Sequence, residues 1–440
     1  MPQPASGNLI TTPTPWSPAQ KIAFRACFLF FVQYILLGSN EIVPETNPIY
    51  AIYIQPFYKM IPWIGQHVLH LSYPITSFPD GGSSDTTFDY VLLLFSAVVT
   101  VVGVVIWTLI DRRRPHHRRL YYWFTLILRY YCAYTMFIFG LSKAYKLQFP
   151  FPSPGSLVEP LGAYSPMHLV WSFFGYSSPY TRITGWAEIL SGVLLIYRRT
   201  TRLGVLFFLA VMFNVTAVNF FYDVCLKTTS AVLMMMGFFL LAPELKRLIE
   251  FFVQNKAVAP ADEWTPVFQK KWINISLILF KFTLTIAILL NANRVIVDQV
   301  RSFADDRPVS RLHGIYDVQT FVRNKDTLPP LLTDTIRWRR LLFNDLSPYA
   351  FYASIRQMND SAKGFMVRPD SVTRKIAFYR SSDTAKKYYF DYAFIGRDGL
   401  YLRGLWKGDS LSILLKKYET GNFLLVNRGF HWINETPYQR

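Results

Sequence analysis

The sequence is short of residues that build covalent or metal-bound frameworks. It has only three cysteines in 440 residues, and none of them forms a C-x-x-C pair. We interpret Cys27, Cys132 and Cys225 as small packing residues in apolar segments rather than as a disulfide framework or a thiol relay. The seven histidines are scattered, and the adjacent pair His116-His117 lies in a charged run. The sequence therefore predicts no metal site.

Charged residues are also scarce, at 17% of the chain, whereas hydrophobic residues make up 51% and aromatic residues 17%. This composition is too apolar for a soluble chain with long disordered parts, and it indicates a membrane protein. A net charge of +18 can indicate nucleic-acid binding. Here lysines and arginines flank apolar segments and form no basic low-complexity tail, so the expected partner is the lipid bilayer and not nucleic acid.

About seven apolar stretches are long enough to cross a hydrocarbon core of roughly 30 Å. The predicted spans are residues 21–38, 88–110, 120–146, 181–198, 203–222, 228–243 and 272–292. The first part of the chain is therefore predicted to be an α-helical membrane bundle of about seven transmembrane helices.

Short basic loops predict the orientation of this bundle. They lie at residues 111–119, 198–202, 244–247 and 269–271. Alternating spans place all of these loops on one side of the membrane, which is the cytoplasmic side by the positive-inside rule. The N terminus is then predicted to be cytoplasmic, and everything beyond about residue 294 to be outside.

Two loops assigned to the outer side are rich in aromatic residues and proline. Residues 44–79 are amphipathic and are predicted to lie along the outer interface rather than to cross the membrane. Residues 148–181 combine the Trp and Tyr content of an interfacial belt with helix-breaking prolines and glycines. Together these loops are predicted to cover the outer end of the bundle.

The composition changes at about residue 306, where short runs of aromatic and β-branched residues alternate with polar turns. About eight strands indicate a small all-β barrel or sandwich, and the last predicted strand is NFLLVNRG at 422–429. The predicted domains are therefore an N-terminal membrane region with an interfacial loop at 1–120, a transmembrane bundle at 121–294 and an extracytoplasmic β domain at 306–440.

Charged side chains occur inside the predicted spans, where each is costly unless it has a partner or a function. Arg129 and Lys143 are separated by about 21 Å along one face of a helix. We expect Arg129 to lie near mid-membrane within reach of Glu188, and Lys143 to end near the outer water. Glu188 shares its helix face with small and polar residues that favour helix packing, including Gly185 and Gly192.

These side chains predict one polar seam inside the bundle, arranged in two levels. The predicted members are Arg129, Glu188, Lys281, Asn214 and Asn219 in the inner-to-middle level and Lys143, Asp223 and Lys227 in the outer level. One interpretation is that structural ion pairs fix the helix register. The other is that two cations against one carboxylate leave a positive surplus for an anionic or carbonyl-bearing ligand.

Three motifs carry a family resemblance: FGLSKAYKLQF, SPMHLVWSFFGYSSPYTRITGWAEILSGVLLIYRRTTRLG and NFFYDVCLKTTS. Through them the stretch from Arg129 to Leu245 resembles the DoxX-like family, in its Bacteroidetes-type form. The resemblance implies a helical bundle of the bacterial inner membrane that is linked to sulfur and quinone redox modules. Its matching charged positions, Lys143, Glu188, Asp223 and Lys227, are candidate pocket residues. The branch that exchanges thiols uses a C-x-x-C, whose absence argues against that chemistry here.

The β domain carries a second pattern. Gly314-Ile315-Tyr316 occupies the place of a G-x-W on the first strand, with Tyr in place of Trp, and Arg428 lies late in the predicted last strand. In this pattern the domain resembles a lipocalin-type barrel, in which Arg428 would pack across the barrel end with Tyr316. The ending NRGFHWINETPYQR is interpreted either as a structural closing strand or as the mouth of a ligand site.

The first functional hypothesis is a redox or quinone-associated accessory protein, in which Glu188 and Arg129 hold a carbonyl head group. Three aromatic residues would pack against its ring: Trp171, Tyr176 and Trp186. A quinone or a lipid is therefore the candidate ligand.

Two alternatives remain open. The chain would be a non-enzymatic scaffold that binds a lipid, or a periplasmic or membrane protein partner, through its outer barrel. By fold-level analogy with vitamin K-dependent carboxylase-type proteins, it would instead be a membrane enzyme with Lys281 as a buried base.

Overall fold

We describe a computed structural model that covers residues 15–38, 48–76, 83–258, 270–303, 305, 308–347 and 350–435. The chain forms two compact units. The helical unit comprises Met1–Ala144 with Ile183–Val295, and the barrel unit comprises Tyr145–Arg182 with Ile296–Arg440. The predicted fold class is confirmed, since a region with several apolar helices is followed by a closed antiparallel barrel of eight strands.

Each of the seven predicted apolar spans corresponds to a helix, and further helices lie between and after them. In chain order they are α1 (Pro18–Leu37), α2 (Pro48–His67), α3 (Thr87–Ile110), α4 (Arg118–Ala144), α5 (Pro154–Val158), α6 (Pro166–Tyr176), α7 (Ser178–Ile196), α8 (Thr201–Phe221), α9 (Lys227–Leu241), α10 (Leu245–Phe252), α11 (Lys271–Phe303) and α12 (Leu424–Asn427). Sequence signals set two of the starts. Ser17 and Gln20 form a capping box at α1, and Thr86 and Asp89 form one at α3.

Among the described residues, five helices are long and apolar enough to cross a membrane. They are α1, α3, α4, α8 and the part of α11 from Trp272 to Arg294. The spans predicted at 181–198 and 228–243 are helical as α7 and α9, but they fall outside this set. The 15 residues of α9 reach only about 22 Å, and α7 carries the charged residues Arg182 and Glu188.

Side-chain contacts show the directions in which the helices of this unit run. Arg25 near the start of α1 donates to Thr108 near the end of α3 at 2.9 Å, so these two helices are antiparallel. Tyr134 of α4 accepts from Asn291 of α11 at 3.1 Å, and the earlier Tyr130 contacts the earlier Thr285 at 3.4 Å, so α4 and α11 run the same way. If successive spans cross the membrane in alternating directions, the first and second spans are antiparallel and the third and seventh are parallel, as observed for these helices.

The stretch predicted to lie at the outer interface forms α2. Its Ile54 and Ile61 are buried against Phe88 and Leu92 of α3, whereas Trp63 is 56% exposed. One face of α2 therefore packs on the bundle, as its amphipathic sequence predicts, and its position at the outer interface stays a prediction.

The barrel is a meander that closes on itself. Its strands are β1 (Gly314–Arg323), β2 (Asp326–Thr327), β3 (Trp338–Ser347), β4 (Ala350–Gln357), β5 (Ala362–Asp370), β6 (Lys375–Arg380), β7 (Asp383–Ile395), β8 (Gly399–Trp406) and β9 (Asp409–Tyr418). The two-residue β2 pairs antiparallel with the end of β1, and the eight long strands close where β1 pairs with β9.

Large side chains fill the interior of this barrel. Phe321, Phe343, Phe378 and Phe390 have no exposed surface, and Trp338 is 3% exposed. Because inward positions alternate along each strand, each of the eight long strands contributes to this core. Side chains therefore fill the interior of the barrel.

The predicted last strand at 422–429 is wrong. The barrel is already closed at β9, which ends at Tyr418, so no strand edge remains for a further strand to pair with. Residues 424–427 form the short α12 instead, and Arg428 follows it outside the barrel wall. There Arg428 contacts His431 and Asn434.

The compact units divide the chain differently from the predicted domains, because residues 145–182 belong with the barrel. Glu159, just after α5, forms an ion pair with Arg356 of β4. The backbone N–H of Phe151 donates to both carboxylate oxygens of Asp305, at 2.9 and 3.0 Å. The segment between α4 and α7 therefore packs with the barrel, and its predicted outer position stays a prediction.

Candidate functional site

The site is built where α4 and α7 come closest. A Cβ atom on Gly140 would lie 2.6 Å from the carbonyl oxygen of Gly185, and one on Gly185 would lie 2.6 Å from that of Gly140. Further along, a Cβ on Gly192 would lie 3.0 Å from the carbonyl oxygen of Ala133. The face predicted from Gly185 and Gly192 is thus the face that packs on the neighbouring helix, and only glycine permits this distance.

We expect Gly185→Ala to separate α4 from α7 and to lower the free energy of unfolding by about 1–3 kcal/mol, as overpacking does elsewhere. Thermal unfolding of the purified chain in detergent measures this loss. Gly162→Ala is the matched control, since no atom lies within 4 Å of a Cβ there. Equal melting temperatures for the two variants would contradict the close approach.

The close contact places a lysine and a carboxylate together. The Nζ atom of Lys143, at the end of α4, donates to Oε2 of Glu188 in α7 at 2.9 Å. The two side chains are 8% and 2% exposed. An ion pair removed from water gains little net stability, because the cost of desolvating both charges offsets their attraction.

The expected pairing between Arg129 and Glu188 is not the one that forms. Arg129 donates to the carbonyl oxygens of Leu195 at 2.8 Å and Ile196 at 2.9 Å. These are among the last carbonyls of α7, which have no partner within the helix and carry its negative end charge. The register that joins Gly140 to Gly185 leaves Glu188 about 10 Å from Leu195 along the axis, at the level of Lys143.

Lys281 also lies apart from Glu188. Its Nζ atom is 3.5 Å from the hydroxyl of Tyr122, which is about 31 Å from Lys143 along α4. The predicted inner-to-middle level is therefore not one pocket. The tyrosine partners on α4 were not predicted, although Tyr122, Tyr130 and Tyr134 share a helix face by their spacing of eight and four residues.

In the predicted outer level, Asp223 and Lys227 form an ion pair at 2.7 Å. Lys143, the third predicted member, pairs with Glu188 instead, and Asp85 is a partner of Lys227 that was not predicted. Asp85 lies 3.8 Å from the Lys227 ammonium and accepts from the backbone N–H groups of Lys227 and Thr228 at 2.8 and 2.9 Å. Asp85 thus caps the start of α9 from a distant loop.

Both asparagines of the predicted inner-to-middle level lie elsewhere. Asn219, in the last turn of α8, donates to the carbonyl of Leu226 in the turn before α9 at 3.1 Å, while Asn214 is exposed. The predicted inner-to-middle level therefore does not include these two polar side chains.

Of the three residues of the predicted aromatic lining, Trp186 belongs to the same compact unit as Glu188, and Trp171 and Tyr176 belong to the barrel unit. Trp186 is 60% exposed and lies two residues before Glu188, a spacing that puts the two side chains on different sides of α7. In the barrel unit, Trp171 packs edge-on against Phe149 with ring centroids 5.0 Å apart, and Tyr176 is 38% exposed.

At the barrel end, the cation near Tyr316 is Lys417 of β9 and not Arg428. The Lys417 ammonium lies 5.8 Å from the ring centroid of Tyr316, whose hydroxyl donates to the carbonyl of Arg311. Burial raises the pKa of Tyr316 to about 12 and lowers that of Lys417. Gly314 has φ +136°, and a Cβ there would meet Lys417 at 2.7 Å, so glycine is required beside this pair.

Part of this chain is similar to a known protein. It is 32% identical over 127 residues to the uncharacterized protein YwoB of Bacillus subtilis (strain 168), and the match covers 29% of this chain and 80% of that protein. No family model matches the chain. No solved structure matches it either.

Proposed function

We propose that this chain, which belongs to the same family as the Bacillus subtilis protein YwoB, binds a quinone head group at Lys143 and Glu188. In this proposal it is a DoxX-like multi-pass protein of the bacterial inner membrane and a redox accessory. Its N terminus is cytoplasmic and its barrel periplasmic. The observation that carries the proposal is the buried Lys143–Glu188 ion pair.

A buried ion pair adds little net stability. Charges kept inside a membrane bundle therefore favour a functional role such as ligand binding. The lysine ammonium is a hydrogen-bond donor that a quinone carbonyl can accept from, and the carboxylate can accept from the hydroxyl of a reduced quinol. Because the two groups touch, one head group can contact both by inserting between them. This pair replaces Arg129 and Glu188 as the head-group site.

The test is the quinone content of the protein purified in mild detergent, measured by mass spectrometry of an organic extract. We expect bound quinone in the wild type and about a tenfold or greater loss in Glu188→Gln, because a hydrogen bond to a charged group is removed. Glu244→Gln is the matched control, since Glu244 pairs with Arg202 and Arg247 away from this pair. Equal quinone in the two variants would refute the site.

A second candidate function is partner binding by the outer barrel, and the packed interior favours it. Since side chains fill the barrel, a partner would contact its outside, where Phe430, Trp432 and Ile433 are 76%, 90% and 76% exposed. A photo-crosslinking residue at 432 should trap one specific membrane or periplasmic protein. The same residue at Val372, which is also 90% exposed, should not.

A further inference from the structure

The short helix α10 of the helical unit carries an exposed apolar face. Leu245, Ile249 and Phe252 lie on one side of this helix, at the spacing of four and three residues that aligns side chains along a helix. They are 49%, 42% and 67% exposed, and Phe251 at the edge of the same face is 55% exposed. Four large apolar side chains on an eight-residue helix are therefore left for a further contact.

The opposite side of α10 is polar. The ammonium of Lys246 lies 3.8 Å from the carboxylate of Glu250, one turn further along the helix. Arg247, on the same side, pairs with Glu244 just before the helix. A helix this short is marginal in water by itself, so its stability depends on what its apolar face contacts.

An ion pair fixes the level of α10 along the bundle. Arg202 lies in the first turn of α8, which is long and apolar enough to cross a membrane. Its Nε atom lies 3.1 Å from Oε1 of Glu244, the residue that precedes α10. α10 therefore begins beside the end of a spanning helix, at the level where the hydrocarbon core meets the headgroups. An amphipathic helix at this level buries its apolar face among acyl chains.

The chain around this contact is basic. Residues 198–202 and 244–256 contain six cations and two carboxylates, a net charge of +4, in Arg198, Arg199, Arg202, Lys246, Arg247 and Lys256 against Glu244 and Glu250. Clusters of lysine and arginine beside an amphipathic helix attract anionic phospholipids. An apolar face flanked by cations matches both parts of such a lipid, its acyl chains and its headgroup.

We propose that α10 is an interfacial helix that binds anionic phospholipids at the end of α8. Its apolar face lies among the acyl chains, and the cations on its polar side and at the start of α8 contact the headgroup phosphates. The lipid binds the folded helix better than the unfolded segment, so it stabilises α10. This site is independent of the proposed quinone site.

The experiment follows hydrogen exchange of the full chain by mass spectrometry, in nanodiscs of phosphatidylcholine alone and of an equal mixture with phosphatidylglycerol. Peptides from α10 should exchange about tenfold more slowly in the mixture, because bound lipid opposes the local opening of the helix. Ile249→Ser combined with Phe252→Ser should remove this difference. Leu405→Ser, which changes a 64% exposed leucine of the barrel, should keep it.

A charge variant guards against a failure of the serine variant to form α10. Lys246→Gln combined with Lys256→Gln keeps the apolar face, and it should reduce the ratio of exchange rates between the two lipid compositions several-fold. Fast and equal exchange of α10 in both compositions overturns the proposal and leaves the apolar face for a protein partner. Slow and equal exchange shows contact with lipid of any charge and also overturns it, as does a ratio that neither variant changes.

Discussion

Lys143→Met and Glu188→Leu should each lower the free energy of unfolding by about 3–5 kcal/mol, whereas the double substitution should cost less than either change alone. Each single change leaves one buried charge without the partner that lies 2.9 Å from it in the native structure. The double change removes both charges and leaves two apolar side chains of similar volume in contact. The pair therefore shows a large coupling energy in a double-mutant cycle.

Unfolding of the purified chain in mixed detergent micelles measures all four members of this cycle. The matched control is the cycle for Arg339 and Asp360, a barrel pair at 2.6 Å whose side chains are 42% and 57% exposed. Solvent screens that pair, so its coupling energy should be below about 1 kcal/mol. Additive losses at Lys143 and Glu188 would contradict a closed ion pair.

The double variant also separates stability from function. If Lys143→Met with Glu188→Leu is as stable as the wild type and has lost its quinone, the pair serves binding. Full quinone content in the stable double variant would show that the pair only fixes the register of α4 and α7. The two interpretations of the polar seam are thus distinguished by one protein preparation.

The sequence predicts which segments are helices and strands because the signals are local. Apolar stretches place α1, α3, α4, α7, α8, α9 and α11, and alternating runs place the barrel strands. The same local signal misleads at 422–429, where an apolar run follows a barrel that has already closed. The number of strands that a barrel needs is a property of the whole sheet and not of one segment.

The partners of the charged side chains depend on register between helices, which no single segment carries. Depth estimates put Arg129 and Glu188 at similar levels, but the contact of Gly140 with Gly185 fixes a register that gives Glu188 to Lys143. Arg129 finds backbone carbonyls instead, at a helix end whose position is known only once α7 is seen to stop at Ile196. Acceptors of this kind have no side-chain signature in a sequence.

Arg337 lies just before β3 and is 4% exposed. We expect its substitution to lower the stability of the barrel about as much as a single substitution in the Lys143–Glu188 pair lowers that of the bundle. Its guanidinium donates to backbone carbonyls of three separate segments, at Leu328, Trp338 and Val318, with distances of 3.1 to 3.4 Å. Arg337→Met removes the guanidinium donors from these buried acceptors. We expect it to lower the stability of the barrel by about 3 kcal/mol or more, at roughly 1 kcal/mol or more for each acceptor.

Hydrogen exchange of the full chain, followed by mass spectrometry, reads this effect in β1 and β3 without isolating the barrel. Exchange in both strands should accelerate by about a hundredfold, since roughly 1.4 kcal/mol corresponds to a factor of ten. Arg339→Met, two residues away at an exposed pair, should leave exchange within a few-fold of the wild type. One guanidinium hydrogen-bonds both β1 and the segment before β3. Equal exchange in the two variants would show that these carbonyls are satisfied by water without Arg337, which would contradict the prediction.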